Sequence, residues 1–305
     1  MNSWLSPADV GRRVTIRRQT PRGLADTVGT LMTWVDAPGG TLFVQTRRGD
    51  VAELQALDIT AARVVPPEVS ALQLQEISEA AMPADEQEML GDWALRYDGG
   101  NIGRANSVRL VGSPHGEVAD ALDYVREWYA RRGARAMVQT PEPSAFGTAL
   151  LEGDWEPQRE CLVMTKELTG LPPVPDPAPD IAVAVAATPE WRAVAAPDLA
   201  RGLDKSLQRT AHQRFISVFD GGIPVSVGRL VANHGWGIIT SVRTVDLATR
   251  RGHATTCMAA IEATAWSVGI RNVMLQVLTE NAAAQALYTK LGYSIHHRYR
   301  YFVAR

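Results

Sequence analysis

The sequence predicts an α/β (α+β) protein in three pieces: a small β-barrel followed by two domains that repeat one order of strands and helices. Three observations predict it. Over residues 1–67 short β-like runs alternate with turn residues, at 170–180 five prolines fall within eleven residues, and the elements after that break follow the same path as those before it.

Composition bounds the partners before any motif is read. A chain of 305 residues exceeds one typical compact core, which favours two or three domains. Thirty-one Lys and Arg stand against 33 Asp and Glu, so no overall field directs the chain to nucleic acid or to an anionic membrane, and a small partner is expected. Cys161 and Cys257 lie in different pieces, which leaves neither a disulfide framework nor a cysteine-based metal site; no metal is expected. Met1 to Arg13 has no apolar core of a signal peptide, and no stretch approaches the roughly 20 apolar residues of a membrane span. A cytoplasmic protein is expected, with a homodimer left open.

Within residues 1–67, strands are expected at Arg13–Arg17, Val28–Trp34, Thr41–Gln45 and Val51–Leu54, separated by Pro21-Arg-Gly23, Asp36-Ala-Pro-Gly-Gly40 and Arg48-Gly-Asp50. Regularly spaced short strands of this kind suit an SH3-like barrel. Eight Arg against six Asp or Glu in this piece are too weak a footprint for phosphate binding, so a structural or docking role is expected. Pro66-Pro67 closes the piece, and a connecting helix follows over Glu68–Ala81.

The second piece, residues 68–170, predicts strands at Trp93–Tyr97, Ser107–Val111, Ala136–Thr140 and Cys161–Glu167, with helices at Val118–Arg132 and Ser144–Glu152 that end at Gly133 and Gly153. After the proline-rich linker (171–180), the third piece (181–305) predicts strands at Ile181–Val185, Arg214–Phe219, Val225–Val231, Trp236–Val245, Val273–Leu278 and Tyr293–Val303. Its helices are expected at Pro189–Ala196, Asp198–Thr210, from Gly252 to Gly269, and at Asn281–Leu291.

The chemistry concentrates in Val242-Arg-Thr-Val-Asp-Leu-Ala-Thr-Arg-Arg-Gly-His-Ala-Thr-Thr256, a strand running through a tight turn into a helix. Small residues at Gly252 and Ala254 let a pyrophosphate approach the backbone. The first helical amides have no internal partners and carry the positive end of the helix dipole, so the loop from Thr249 through Arg250, Arg251, Gly252, His253 and Ala254 to Thr255 reads as a phosphate cradle. Arg250 and Arg251 add cationic donors. A strand–turn–helix with a packing glycine would look the same in isolation.

This run resembles the acetyl-CoA signature of the GNAT superfamily, Arg/Gln-x-x-Gly-x-Gly/Ala, with Thr249 in place of the first Arg or Gln. Further on, Asn281-Ala-Ala-Ala-Gln-Ala-Leu-Tyr-Thr-Lys-Leu-Gly-Tyr293 resembles the family's second signature at Asn281, Ala284, Leu287, Tyr288 and Gly292. The resemblance covers 180–305 closely and the middle piece loosely. It implies tandem GNAT-like domains with mixed, mostly antiparallel sheets and flanking helices, acetyl-CoA as co-substrate and an amine as acceptor. It also implies that Asn281 meets the pantetheine arm and that the Tyr288 hydroxyl lies near the thioester sulfur. In the middle copy Leu150 stands where the later copy has Tyr288, and Gly112-Ser-Pro-His-Gly116 replaces the Arg250 to Ala254 loop, so the cofactor is expected in the later copy alone.

The expected activity is N-acetyl transfer to a primary amine of a small molecule or amino acid. Backbone N–H groups of the splayed strand from Val242 to Val245, with Val242 and Thr244 as cofactor contacts, would receive the thioester carbonyl oxygen, and Tyr288 would act as general acid toward the departing sulfur. As a packing residue under its helix, Tyr288 would do neither. Asp246, His234, Glu280 and His212 compete as general base, while Arg104-Ala-Asn-Ser107 could face the groove or satisfy its own loop. The adjacent His296 and His297 alternate across a strand, which favours structural roles over a metal pair. Two rivals remain: acetylation of a protein lysine or N-terminus, and a non-catalytic acyl-CoA-binding sensor.

Overall fold

The computed structural model describes residues 5–35, 39–46, 50–65, 69–172 and 180–305. The Pro66-Pro67 boundary, most of the proline-rich linker and parts of two expected turns, 36–38 of the first and 48–49 of the second, lie outside the described residues. The chain divides into two compact units, Met1–Ser70 and Ala71–Arg305.

The first unit is an antiparallel meander of β1 (Arg13–Thr20), β2 (Gly23–Val35), β3 (Thr41–Thr46), β4 (Val51–Gln55) and β5 (Ile59–Val64), in the order β4-β3-β2-β1-β5. Alternation buries Val14 and Ile16 on one face of β1, where they meet Leu5, Leu31, Leu42, Val44 and Leu54. Gly29 is required by packing: a Cβ there would sit 2.1 Å from the Gln45 carbonyl oxygen on the next strand. A small β-unit forms over this piece, as expected, but its sheet does not close into a barrel. Edge strands β4 and β5 are joined by the single turn Ala56–Asp58, which requires a strongly curled sheet, yet no ladder pairs them. Strand β5 escaped the sequence reading because Ile59-Thr-Ala-Ala-Arg-Val64 has no fully buried position to give it a periodic apolar face.

In the second unit, α1 (Ala71–Glu79) precedes β6 (Glu86–Leu90), β7 (Trp93–Tyr97), β8 (Val108–Arg109), α2 (Val118–Ala130), β9 (Met137–Glu142), α3 (Ala145–Glu152) and β10 (Trp155–Glu167). The later half repeats the path: β11 (Asp180–Ala184), α4 (Pro189–Asp198), α5 (Asp204–Arg209), β12 (Gln213–Asp220), β13 (Ile223–Asn233), β14 (Trp236–Thr244), α6 (His253–Ser267), β15 (Asn272–Leu278), α7 (Ala282–Lys290) and β16 (Ser294–Ala304). The helix expected over Asp198–Thr210 is split where Gly202 takes φ 103°, a left-handed conformation that no helix continues through. The acidic edge strand β6, Glu86-Gln-Glu-Met-Leu90, was not expected, since its two exposed glutamate and glutamine positions carry no strand signal.

All eleven strands form one sheet, β11-β12-β13-β14-β15-β10-β16-β9-β8-β7-β6, antiparallel except at β14–β15 and β8–β9. The halves have exchanged their last strands. β10 pairs with β15 of the later half, Cys161 opposite Leu278, and β16 pairs with β9 of the earlier half, Arg298 opposite Glu142. The cores follow the exchange: Leu162, Met164 and Leu168 of the β10 segment pack with Met258, Ile261 and Leu275, while Phe302 and Ala304 of β16 pack with Trp93, Trp128 and Trp155. Neither half could keep its core without the other's strand.

Helix α1 is pinned across the sheet by polar bonds. The Gln75 amide meets His297 Nε2 at 3.0 Å, Gln276 Nε2 donates to Ser78 Oγ at 3.2 Å, and Asn233 Nδ2 donates to the Ile77 carbonyl at 3.0 Å. Burial, and then the neighbouring His296, push the His297 pKa down to about 4. The unfolded chain therefore binds a proton that the folded chain refuses, so stability is lost as pH falls from about 6.5 toward 4. His297→Gln should flatten this part of the profile, read from urea midpoints at pH 7 and pH 4.5. An unchanged slope would assign the proton uptake to another group. No described helix is long and apolar enough to cross a membrane.

Candidate functional site

The parallel ladder between β14 and β15 runs from Trp236 opposite Asn272 to Ile239 opposite Leu275 and then stops. A bulge causes the parting. Val227 pairs with Arg243 and Arg229 with Thr240, so two steps on β13 span three on β14, and Ser241 takes φ 54° to absorb the extra residue. Beyond Ile239, β14 has no ladder partner in β15. The gap widens into a pocket of about 380 Å³, walled by Ile239 to Val242, Leu275 to Leu278, Asn281, Ala284 and Tyr288 of the later half. Ile102, Gly103, Arg104 and Arg159 of the earlier half close its other side, with Met82 and Leu203.

Val242, Asn281 and Tyr288 from the sequence reading thus meet in one pocket. Tyr288 is held by burial and by edge-on contact with Tyr293, ring centroids 6.0 Å apart. Its hydroxyl makes no hydrogen bond to protein among the described residues and belongs to the pocket lining. Burial, with a smaller push from Cys257, raises its pKa to about 12, so the phenol keeps its proton throughout the neutral range. Asn281 caps α7, its Oδ1 accepting the Ala284 N–H at 3.1 Å, which leaves its amide nitrogen for another partner. Thr244 is half-buried and bonds Ser226 Oγ at 2.9 Å; it does not line the pocket.

The 249–255 loop lies apart from the lining residues, at the start of α6. Gly252 is the N-cap with φ 87° and open space where a Cβ would project, and Arg250 is also left-handed at φ 60°. Alternating handedness of this kind turns successive N–H groups to one side, as in anion-binding nests. The Thr256 N–H returns to the Gly252 carbonyl at 3.0 Å, so the amides of His253, Ala254 and Thr255 precede the first helical bond. Arg250 has no ion pair among the described residues. Arg251 is partnered by Asp220 at 2.8 Å, with His253 Nε2 3.7 Å from the same carboxylate. The exposed Thr249 turns its hydroxyl back to the Asp246 carbonyl at 3.0 Å.

The corresponding loop of the earlier half is folded shut. Ser113 N–H donates to Asp92 Oδ2 at 2.9 Å, the Asp92 N–H returns to the Ser113 carbonyl at 2.8 Å, and a Cβ on Gly91 would sit 2.4 Å from that carbonyl. Leu150, at the position of Tyr288, is core.

Of the four candidate bases, none lines the pocket; Asp246, His234, Glu280 and His212 are all exposed. The Arg104-Ala-Asn-Ser107 cluster divides its roles. Asn106 receives the N–H groups of Asp98 and Gly99 and ties down its loop, and Ser107 gives its carbonyl to Arg96, whereas Arg104 faces the pocket. Sequence reasoning missed Met82, Leu203 and Arg159, which reach the pocket only through tertiary packing. His297 is engaged by Gln75, and no group of three metal-ligating side chains occurs among the described residues.

A family model described as "Probable histone acetyltransferase Rv0428c C-terminal" matches residues 71–302. Over its whole length the chain is 28% identical to 98% of a Mycobacterium tuberculosis protein named probable histone acetyltransferase Rv0428c. A solved GCN5-related N-acetyltransferase from Kribbella flavida superposes with a TM-score of 0.61 at 18% identity, covering 77% of this chain and 95% of that one. A tandem GNAT protein from the clavulanic acid biosynthesis pathway gives a TM-score of 0.55 at 13% identity, covering 78% of this chain and 89% of that one. At those identities the structures establish the fold, a GNAT fold in tandem.

Proposed function

Because the chain belongs to the Rv0428c C-terminal acetyltransferase family and carries the GNAT fold, we propose that it transfers the acetyl group of acetyl-CoA to a primary amine of a small molecule or amino acid. One observation carries this reading: the parting of β14 from β15 opens onto the same pocket as Asn281 and the free hydroxyl of Tyr288. The cradle at Gly252 fits the diphosphate, with open space over its backbone and first-turn amides that have no helical partner. Arg250 adds a cation there, and the spare Asn281 amide suits a pantetheine carbonyl.

In the reaction the amine lone pair attacks the thioester carbonyl carbon, forming the C–N bond. Charge developing on the oxygen is met by backbone N–H groups of the unpaired β14 edge near Val242. The C–S bond then breaks, the sulfur takes the proton of Tyr288, and the nitrogen's surplus proton leaves to water, which restores the phenol. Among the described residues no carboxylate or histidine lines the pocket to act as a direct base. The two arginines there instead lower the pKa of an approaching ammonium and raise its neutral fraction.

The reading is tested by measuring CoA thiol release and acetylated product over a panel of primary amines. Acceptor-dependent release is expected; tight acetyl-CoA binding with no release for any amine would make the chain an acyl-CoA sensor. The relative's name brings a second reading, acetylation of a protein lysine, which lysine peptides in the same panel would reveal.

Gly252→Val should raise the acetyl-CoA KM by about tenfold or more. A β-branched residue is strained at φ 87°, and its side chain would occupy the space over the cradle. An unchanged KM would move the diphosphate elsewhere.

A further inference from the structure

We infer that the acceptor amine carries a carboxylate, held by the Arg104 guanidinium on the earlier-half side of the pocket. This inference rests on the acetyl-transfer reading. The pocket's charged lining consists of Arg104 and Arg159, with no carboxylate among its lining residues. Arg104 makes no hydrogen bond or ion pair to protein among the described residues, in a chain where Arg96, Arg109, Arg132 and Arg300 are all engaged by glutamates. An uncompensated guanidinium beside a reaction site is a carboxylate receptor in waiting, since its planar donors match two carboxylate oxygens.

The arginine is also positioned before any ligand arrives. It sits in the turn Gly103–Ala105, whose Gly103 lies against the Tyr301 ring, 3.2 Å from where a Cβ would be. Asn106 fastens the turn by donating to the Ile102 carbonyl at 3.1 Å while accepting from Asp98 and Gly99. A smaller cavity of about 190 Å³ continues past Arg104 and Arg159 to Tyr299 and Tyr301, leaving room for the acceptor's body.

A second, buried guanidinium points the same way. Arg229 is wholly buried, and its cross-strand partner Thr240 and the neighbouring Met82 both line the pocket. It donates through Nη1 to the Ala81 carbonyl at 2.9 Å and through Nε to Gln213 at 2.9 Å, while among the described residues Nη2 has no partner and no carboxylate pairs with the charge. Burial and then the charge of Arg104 lower its pKa to about 9. The wall therefore carries positive charge that an anionic acceptor relieves and a polycationic peptide worsens.

The donor does not account for Arg104. The cation placed for its phosphates, Arg250, stands just before α6 and does not line this pocket.

The test compares an amino acid, its carboxamide and the corresponding diamine, each at equal concentration of neutral amine, with wild type, Arg104→Gln and Arg104→Glu. Wild type should favour the carboxylate by about tenfold or more in kcat/KM. Arg104→Gln should erase that preference through the acceptor KM, with the acetyl-CoA KM moving less than about twofold, and Arg104→Glu should turn it toward the diamine. The wild-type ranking decides the matter even if a variant fails to fold. Equal use of carboxamide or of a lysine peptide by wild type overturns the inference and leaves acetyl transfer standing, as does an Arg104→Gln effect confined to the acetyl-CoA KM. Acetyl-CoA binding without transfer to any amine overturns the underlying reading as well.

Discussion

With phenylalanine in place of Tyr288, kcat is expected to fall about a hundredfold or more, while the Kd for acetyl-CoA changes by less than about threefold. The substitution removes one oxygen and keeps the ring, so the packing on Tyr293 and the surrounding core survives. What is lost is a proton donor whose pKa, about 12, keeps it charged with hydrogen at every pH where an amine acceptor works. The thiolate of CoA would then have to leave without a proton from the protein. Rapid-quench measurement of acetylated product separates this effect from slow product release. A kcat within threefold of wild type would return Tyr288 to a packing role.

Glu262→Ala is expected to cost about 3–5 kcal/mol of stability, the range for removing one partner of a buried ion pair. Glu262, on α6, accepts from Lys166 Nζ at 2.7 Å and from the Tyr293 hydroxyl at 3.0 Å. Lys166 belongs to β10, the strand contributed by the earlier half, and Tyr293 immediately precedes the strand given in return. The alanine leaves the ammonium mostly buried without its counter-charge and a phenol without an acceptor, at the place where the exchange is fastened. Urea unfolding followed by circular dichroism reads the loss. A change below about 1 kcal/mol would mean that water replaces the carboxylate, and that apolar packing alone holds β10 against β15.

How much of this was legible beforehand divides along local and non-local lines. The later half reads well because its signals are short-range: the period change at Gly252, the apolar run at β15, and the Asn281 to Tyr288 spacing that sets both on the pocket. The GNAT fold follows from these. The exchange of β10 and β16 was not legible, because two strands of similar pattern fit either half and only register against β9 and β15 distinguishes them. The curl without closure in the first unit is likewise a pairing property, invisible in strand spacing. Arg104 was visible as a polar cluster but not as a pocket residue, since its neighbours in the cluster turn inward and the β14, β15 and α7 residues it faces, from Ile239 onward, lie more than a hundred residues away.

A crystal structure of the full chain with acetyl-CoA tests the central claim most directly. The account predicts the diphosphate on the amides of Gly252 to Thr255 and the acetyl group between Ile239–Val242 of β14 and Leu275–Leu278 of β15, with its sulfur within hydrogen-bond reach of the Tyr288 hydroxyl. Acetyl-CoA seated instead on the 112–116 loop of the earlier half, or with its thioester outside the β14–β15 gap, would contradict it.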